Sequence, residues 1–226
     1  MRILSVDTTT PSGSVAVLTD QRLLGETSVE SSSTHSARLL SSINLLLEAL
    51  HLGIQDIDGF AVTPGPGSFT GIRIGLSTVK AFAFASGKPV APVSSLQALA
   101  WKLRDSKERL IAPMLDAKKG EIYAGLFEMR KEKLAEMIPQ GAYLPDRFLS
   151  LLPARRTVQF IGNGIEICRA RILDRFKDRE RFSARSPFIA YEVGLLGHDI
   201  LKAGKGIPST ELEPLYYRKS QAEEKH

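Results

Sequence analysis

One arrangement occurs twice in this sequence and limits what the chain can fold into. A short apolar run, typical of a buried strand, ends on an acidic residue, a turn containing glycine follows, and a second strand returns. The first copy ends on Asp7 and the second on Asp116. Such a repeat indicates two lobes descended from one unit. We therefore expect a first lobe over 1–104 and a second over 105–226, with a helix over 187–202 that could pack back on the first lobe.

Apolar spacing along the chain predicts an α/β fold with mixed sheets. In the first lobe, short apolar runs alternate with two stretches whose apolar residues recur at helical spacing. Those two helices are predicted over 34–50 and 70–86. The order in this lobe is three strands, helix, strand, helix, strand and helix. The second lobe is predicted to hold a hairpin over 110–128, a strand at 159–161 and a short helix ending near 172.

Charge and cysteine content exclude several classes of protein. The chain has a formal net charge of +5 and a single cysteine, Cys168, so neither an intramolecular disulfide nor a multi-thiolate metal site can form. The N-terminal segment lacks the apolar run of about 7–15 residues that a signal peptide needs. A run of about 18 apolar residues, as a membrane span requires, is also missing. We expect a cytoplasmic protein without membrane association.

A basic stretch lies in the second lobe between Arg155 and Arg185. It contains nine arginine or lysine residues and four acidic residues, so its excess of five positive charges equals the net charge of the whole chain. Such a stretch could bind the phosphate groups of a nucleic acid. A solvated helix and loop of mixed charge is the alternative, and the sequence leaves both open.

A glycine-rich loop at 64–69 precedes the helix predicted over 70–86. It does not match the phosphate-binding P-loop, because an Ile-Arg pair follows Gly71 where that motif requires lysine and then serine or threonine. It does not match the dinucleotide-binding pattern either. Gly71 and Gly75 would share one face of the helix, where each glycine costs about 1 kcal/mol relative to alanine. Close packing, either within the lobe or against another molecule, would explain that cost.

Few residues could carry catalysis. Asp7 and Asp116 stand at the ends of strands, where α/β proteins place metal or substrate ligands, although aspartate in a turn also serves to bond backbone donors. The four histidines include no pair at the spacing that a helical metal site needs. Cys168 has the apolar and arginine neighbours of a packed thiol rather than a nucleophile. The residues themselves therefore predict no metal site and no catalytic residue.

Several segments resemble the bacterial TsaB (YeaZ) family of tRNA threonylcarbamoyladenosine biosynthesis proteins. The most specific segment is 59–75, GFAVTPGPGSFTGIRIG. The opening strand and segments 35–40, 116–123 and 214–218 support it, so the resemblance covers nearly the whole chain. It implies a two-lobed actin/sugar-kinase/heat-shock-ATPase-like (ribonuclease H-like) fold with a reduced second lobe.

The resemblance also implies a function and its partners. The family's paralogue TsaD is the catalytic subunit and carries a paired-histidine metal site, whereas His35 of this chain stands alone. We therefore expect a non-catalytic scaffold or activator that pairs with a TsaD-like paralogue and a TsaE-like ATPase. The complex would threonylcarbamoylate the adenosine beside the tRNA anticodon and would be the route by which the chain meets tRNA. In isolation the chain is expected to form a homodimer.

The implied sites lie on the first lobe. The helices over 34–50 and 70–86 would form half of a helical bundle with the TsaD-like subunit. The expected interface residues are His35, Leu39, Ile43, Phe69, Gly71, Ile72, Gly75, Leu76 and Val79. The hairpin after the first acid resembles the superfamily's phosphate-binding turn, but it carries threonine and proline in place of glycine. The expected weak nucleotide contacts are Asp7, Thr8, Thr9 and Asp116. We expect no cofactor bound tightly by this chain alone and ATP or ADP only at the interface of the complex.

Three other functions stay open at this level. A small-molecule kinase or ATPase of the same fold would use Asp7 and Asp116 around a nucleotide and Mg²⁺. A glycoprotease, the older name of the family, would need a metal or a nucleophile that the sequence does not display. A direct RNA-binding protein would use the basic stretch between Arg155 and Arg185.

Overall fold

The computed structural model of the protein describes the backbone of residues 1–30 and 35–218. Side chains are described over the same ranges apart from 29, 30 and 35–38. No helix within these ranges is both long enough and apolar enough to cross a membrane.

Strands and helices alternate along the described residues. The strands are β1 (Arg2–Asp7), β2 (Ser12–Thr19), β3 (Arg22–Glu30), β4 (Gly59–Val62), β5 (Val90–Pro92), β6 (Leu110–Lys118), β7 (Glu121–Arg130), β8 (Lys133–Tyr143), β9 (Val158–Ile161) and β10 (Glu180–Phe182). The helices are α1 (His35–Ala49), α2 (Phe69–Ser86), α3 (Ser95–Trp101), α4 (Pro145–Leu151), α5 (Ile165–Phe176) and α6 (Ala190–Lys202). Single turns of 3₁₀ helix lie at Ile54–Asp56 and Ser209–Glu211.

The chain divides into two units. Unit 1 comprises residues 1–95 and 188–216, and unit 2 comprises residues 96–187 together with 217 and 218. The lobes expected from the sequence meet at 104/105. Unit 1 instead ends at residue 95 and also includes the later residues 188–216. The reason for that return is α6, which packs against the strands of unit 1.

Unit 1 is built on a five-stranded mixed sheet in the order β3-β2-β1-β4-β5. β1 pairs antiparallel with β2 and parallel with β4, and β4 pairs parallel with β5. Because side chains alternate between the faces of a strand, Leu4 and Val6 point into the core shared with α1 and α2. The intervening Ser5 points to the other face, where its hydroxyl donates to the carbonyl oxygen of Ala190 at 2.7 Å.

α6 covers this second face of the unit 1 sheet. Its glycines let the helix lie close to the strands, since a Cβ placed on Gly197 would lie 2.4 Å from the Cβ of Ala61. The helix begins at Ala190 rather than at the predicted residue 187. Ile189, with φ of −128°, still has a non-helical backbone.

Unit 2 repeats the plan of unit 1. Its sheet has the order β10-β9-β6-β7-β8, in which β6 pairs antiparallel with β7 and parallel with β9. Its core lies between this sheet and α4 and α5, and includes Phe148, Phe160 and Ile172. Apart from α3 at the start of unit 2 and α6 at the end of unit 1, each unit runs through three strands, a helix, a strand, a helix and a strand. The α/β fold with mixed sheets that the sequence predicts is confirmed.

Three elements of unit 2 were not predicted from the sequence. β8 is partly exposed along its length, and two register irregularities interrupt its pairing with β7, so its residues show no simple alternation. α4 has only seven residues and β10 only three, too few for a periodic pattern to show. The predicted short helix near 172 is α5, which continues to Phe176.

Candidate functional site

The acid of the first turn is sealed inside unit 1. Asp7 has 0 % exposure, and its Oδ1 atom accepts three hydrogen bonds. These come from the amide of Thr9 at 3.1 Å, the hydroxyl of Thr9 at 2.7 Å and the hydroxyl of Thr63 at 2.6 Å. The Oδ2 atom is buried without a hydrogen-bond partner among the described residues. Burial raises the pKa of Asp7 more than the hydrogen bonds from the two threonines lower it.

Thr8, the residue after this acid, packs against Gly71 and Gly75 of α2. The Thr8 hydroxyl donates to the carbonyl oxygen of Gly71 at 2.7 Å. A Cβ on Gly71 would lie 1.9 Å from the Thr8 carbonyl oxygen, and one on Gly75 would lie 2.3 Å from the Thr8 hydroxyl oxygen. Of the two packing alternatives left open by the sequence, the structure has the internal one. Gly71 and Gly75 are buried and present no notch to a partner.

The glycine-rich loop is held by hydrogen bonds from its own unit. The amide of Ser68 donates to the carbonyl oxygen of Thr9 at 2.7 Å, and the hydroxyl of Ser95 donates to that of Pro66 at 2.6 Å. The Ser68 hydroxyl caps α2 by accepting from the amide of Gly71 at 3.2 Å. These bonds engage groups that a phosphate cradle would have to offer to its ligand, so the loop acts as a packing element of unit 1.

Asp116, the acid of the second turn, has a different environment from Asp7. Asp116 is only partly buried, and its Oδ1 atom accepts from the amide of Lys118 at 2.7 Å. Its Oδ2 atom pairs with the Lys118 ammonium at 2.7 Å, while its own amide donates to Asn163 Oδ1 at 3.0 Å. Partial burial pushes the pKa of Asp116 upward, but the hydrogen bonds and the charge of Lys118 outweigh it and leave the pKa below its ordinary value. Asp7 and Asp116 thus lie in different units, and each is bonded by residues of its own unit.

The expected interface residues include the buried side of both helices. The following expected contacts lie in the core of unit 1, each at 5 % exposure or less: Leu39, Ile43, Ile72, Leu76 and Val79. The prediction of these residues as partner contacts is therefore corrected, because their side chains pack on the sheet. The side chain of His35 lies outside the described residues.

The solvent-facing sides of α1 and α2 carry three of the exposed apolar side chains. Leu40 and Leu45 of α1 are 51 % and 63 % exposed, and Phe84 of α2 is 78 % exposed. The exposed positions of α2 between its first turn and Phe84 include the small residues Ser77 and Ala81. We call these five residues the outer face. The sequence carried a signal for Leu45, which is out of phase with the buried leucines of α1, but not for Leu40, which stands seven positions before the buried Leu47 and so shares its helical phase.

The segment before residue 217 packs on the start of α2. The Tyr216 ring stacks on the Phe69 ring with centroids 4.8 Å apart, and the Arg73 guanidinium lies 3.8 Å from the Phe69 centroid. Arg73 Nε also donates to the Tyr216 hydroxyl at 3.2 Å. The amide of Leu215 donates to the carbonyl oxygen of Pro64 at 2.8 Å. Phe69, an expected interface residue, is therefore partly covered by its own chain.

Metal and thiol chemistry have little support in the described part of the chain. Among those residues there is no group of three or more histidine, cysteine, aspartate or glutamate side chains placed to hold a metal ion. Cys168 is buried, and desolvation raises the pKa of its thiol to about 11. The thiol therefore stays protonated at neutral pH, in line with a packed rather than a reactive side chain.

Comparison with known proteins gives one consistent result. Residues 27–195 match the family model described as TsaD: tRNA N6-adenosine threonylcarbamoyltransferase. The tRNA threonylcarbamoyladenosine biosynthesis protein TsaB of Bacillus subtilis is 32 % identical over 175 residues, which cover 77 % of this chain and 76 % of that protein. The solved structure of YeaZ from Pseudomonas aeruginosa superposes with a TM-score of 0.81 at 27 % identity, covering 95 % of this chain and 99 % of that one.

A more distant likeness bears on the fold alone. The activator of 2-hydroxyisocaproyl-CoA dehydratase from Clostridium difficile has a TM-score of 0.54 at 10 % identity, covering 96 % of this chain and 100 % of that one. The fold is therefore of the actin/sugar-kinase/ATPase-like type, as the resemblance implied.

Proposed function

This chain belongs to the TsaB (YeaZ) family of tRNA threonylcarbamoyladenosine biosynthesis proteins, and from that premise we propose that it is a non-catalytic subunit that pairs with a TsaD-like paralogue through the outer face of α1 and α2. Its role lies in threonylcarbamoyladenosine synthesis, and the comparisons do not favour the kinase and glycoprotease alternatives.

The use of the two acids supports a non-catalytic role. A general base or metal ligand has to reach its substrate or ion within hydrogen-bond or coordination distance. The Asp7 carboxylate has 0 % exposure and is bound by Thr9 of its own turn and by Thr63, which follows β4. The Asp116 carboxylate is occupied by Lys118 within its own turn.

The outer face is the observation that carries the pairing proposal. Leu40, Leu45 and Phe84 are apolar side chains that stand in water on two neighbouring helices of one unit. Burying a side chain of this kind fully stabilises an interface by about 1.5–3 kcal/mol. Ser77 and Ala81 lie on the exposed side of α2 and would let a partner helix approach closely. Two helices that expose such a face fit one half of a four-helix bundle.

A related chain is the partner that this face suits best. A paralogue with the same fold would present its own two helices in the same arrangement, so the bundle would be pseudo-symmetric. In the absence of that paralogue, the face would pair with itself as a two-fold homodimer. A TsaE-like ATPase would join the pair, and any ATP or ADP would belong to the complex. tRNA would likewise be met within the complex.

The test is reconstitution of tRNA modification from the TsaD-like paralogue, the TsaE-like ATPase and this chain. We expect modification to require this chain. The double variant Leu45→Glu with Phe84→Glu should weaken pairing with the paralogue about 100-fold or more, since it places two charges in the centre of the interface. Pairing is measured by titration and modification by mass spectrometry of the tRNA nucleosides.

A matched control changes two exposed leucines of unit 2. Leu151→Glu with Leu173→Glu, at 51 % and 46 % exposure, should leave pairing and modification intact. Unchanged pairing in the Leu45→Glu and Phe84→Glu variant would overturn the proposed interface. Steady turnover of ATP, of a peptide or of the threonylcarbamoyl donor by the purified chain alone would overturn the non-catalytic role.

A further inference from the structure

The cations of unit 2 gather at one end of its sheet. β6, β8, β9 and β10 all begin at this end and β7 finishes there, because β7 runs antiparallel to its neighbours. Basic residues stand at or beside each of these strand ends. We call this set the basic rim: Lys107, Arg109, Arg130, Lys131, Lys133, Arg155, Arg156, Lys177 and Arg179.

Backbone hydrogen bonds hold the segments of the rim side by side. The carbonyl oxygen of Arg109 accepts from the amide of Met129 at 2.9 Å, and that of Arg179 accepts from the amide of Val158 at 3.1 Å. The β7–β8 turn places Arg130 opposite Lys133. Five strands with four gaps of about 4.8 Å make the rim about 19 Å wide.

The rim carries most of the net charge of the protein. Five acids lie among its nine cations, namely Glu108, Glu128, Glu132, Asp178 and Glu180. The resulting excess of four positive charges compares with +5 for the whole chain. A concentration of charge of this kind creates a local positive potential that attracts phosphate.

One of these acids, Glu128, orients two arginines of the rim. The buried Glu128 side chain is bonded by Arg156 at 2.7 Å and by Arg130 at 2.5 Å. The hydrogen bonds from Arg156 and then Arg130 lower the pKa of Glu128, so the carboxylate stays ionised at neutral pH. The two guanidinium side chains remain 52 % and 59 % exposed. A fixed guanidinium with free edges is suited to phosphate oxygens.

The rim differs from the basic stretch seen in the sequence. On α5, Arg169 pairs with Glu166 at 2.5 Å, and Arg175 donates to the carbonyl oxygens of Ser150 and Leu152 at 3.2 Å. Those arginines serve the structure of unit 2. The rim instead adds cations from before β6 and from the β7–β8 turn, which lie outside the stretch between residues 155 and 185.

We propose that the basic rim is a docking surface for the phosphate backbone of the RNA that the complex modifies. The proposal rests on the proposed function for the presence of an RNA partner. A row of cations about 19 Å wide can contact several phosphates at once. Contacts between such cations and phosphate oxygens would position the RNA without reading its bases.

The experiment compares two triple variants in the reconstituted complex, using tRNA as the probe. The rim variant is Arg109→Gln, Lys133→Gln and Arg155→Gln. The control variant removes the same charge from exposed positions of unit 1: Arg22→Gln, Lys202→Gln and Lys205→Gln. The affinity for tRNA is measured at several salt concentrations, together with pairing to the paralogue and the kinetics of modification.

We expect the rim variant to bind tRNA about 10-fold or more weakly and the slope of log K against log salt to fall by roughly 1 for each lost phosphate contact. Pairing with the paralogue should be unchanged, and modification should recover at high tRNA concentration, so that KM rises while kcat stays. The control variant should behave as the unaltered chain.

The outcomes separate this inference from the function on which it rests. If the rim and control variants share one affinity and one slope while modification still requires the chain, the rim inference is overturned and the proposed function stands. If modification proceeds without the chain, the proposed function itself fails. If the rim variant loses binding to anionic vesicles or to the TsaE-like ATPase but keeps its affinity for tRNA, the rim inference is likewise overturned.

Discussion

The two acidic turns occupy the same place in two units of the same topology, yet one is closed and the other open. Asp7 is fully buried and bound by threonines, whereas Asp116 is partly exposed and bound by a lysine. The residue after each acid differs too, because Thr8 reaches into α2 while Ala117 has no polar group to extend. The strand topology therefore determines the position of each acid, and a few neighbouring side chains determine whether its carboxylate is exposed to solvent.

The glycines that pack near the two acidic turns also differ between the units. In unit 1, Gly71 and Gly75 receive Thr8, the residue after the acid. In unit 2, the glycines lie beside the residues before the acid, since a Cβ on Gly162 would lie 2.2 Å from the Met114 carbonyl oxygen. Close packing thus seals the turn itself in unit 1, and in unit 2 it secures only the strand that leads to the turn.

The largest difference in stability between the two turn regions should appear when one methyl group is added to a glycine in or next to each turn. In Gly71→Ala the new Cβ would meet the backbone of Thr8, which cannot move without α2 or β1. We expect a loss of about 3 kcal/mol or more in the free energy of unfolding. Gly120→Ala has open space around its Cβ and only a φ of +78° to strain it, so about 1 kcal/mol is expected. Urea unfolding measures both, and equal losses would show that the first turn is not sealed by packing.

A smaller contrast is expected when the acids themselves are removed. Asp7→Ala leaves the amide and hydroxyl of Thr9 and the hydroxyl of Thr63 buried without their acceptor, which should cost about 2 kcal/mol. Asp116→Ala removes a solvent-exposed pair and should cost under about 1 kcal/mol. Unfolding of the two variants under identical conditions checks the order. A greater loss for Asp116→Ala would break the comparison.

The smallest effect concerns the dependence of stability on pH, and its sign should differ between the turns. Because the pKa of Asp7 is raised in the folded protein, its carboxyl favours folding most at low pH, and that contribution is lost as pH rises from the ordinary carboxyl pKa to the raised one. Because the pKa of Asp116 is lowered, its contribution is present above the ordinary pKa and is lost as pH falls through the lowered one.

The measurement is the difference in free energy of unfolding between the protein and each asparagine variant across the acidic range. The difference for Asp7→Asn should shrink or change sign as pH rises, and that for Asp116→Asn should grow. Parallel curves for the two variants would show that the environments of the two carboxyls are alike.

Much of the fold could be predicted because its signals are local. The strand that ends on Asp7 and the strand that ends on Asp116 are visible as apolar runs. The helix predicted over 70–86, which the structure has over 69–86, is visible from its periodicity. What fills a notch is not local. Gly71 in a helix indicates that another group packs closely against it, but the sequence does not say which group. That group is Thr8, which lies 63 positions away in the chain and is brought to Gly71 only by folding.

The candidate surfaces were harder to predict for the same reason. Leucines occur on both sides of α1, and composition alone does not tell that Leu39 faces the sheet while Leu45 faces water. The basic rim takes its cations from segments separated along the chain, such as Arg109 and Arg155, which adjoin only because β6 pairs with β9. A search along the sequence for runs of like charge instead finds α5, whose arginines are engaged in unit 2.

The position of α6 has a consequence for synthesis on the ribosome. The strands β1 to β5 are translated before unit 2, but α6, which covers the second face of their sheet, is translated after it. Residues 96–187 are contiguous and can fold as soon as they leave the exit tunnel, although nascent chains usually mature from the N-terminus onward. Unit 1 is therefore begun before unit 2 and completed after it, and a chain truncated before residue 190 would leave the sheet of unit 1 uncovered and prone to aggregation.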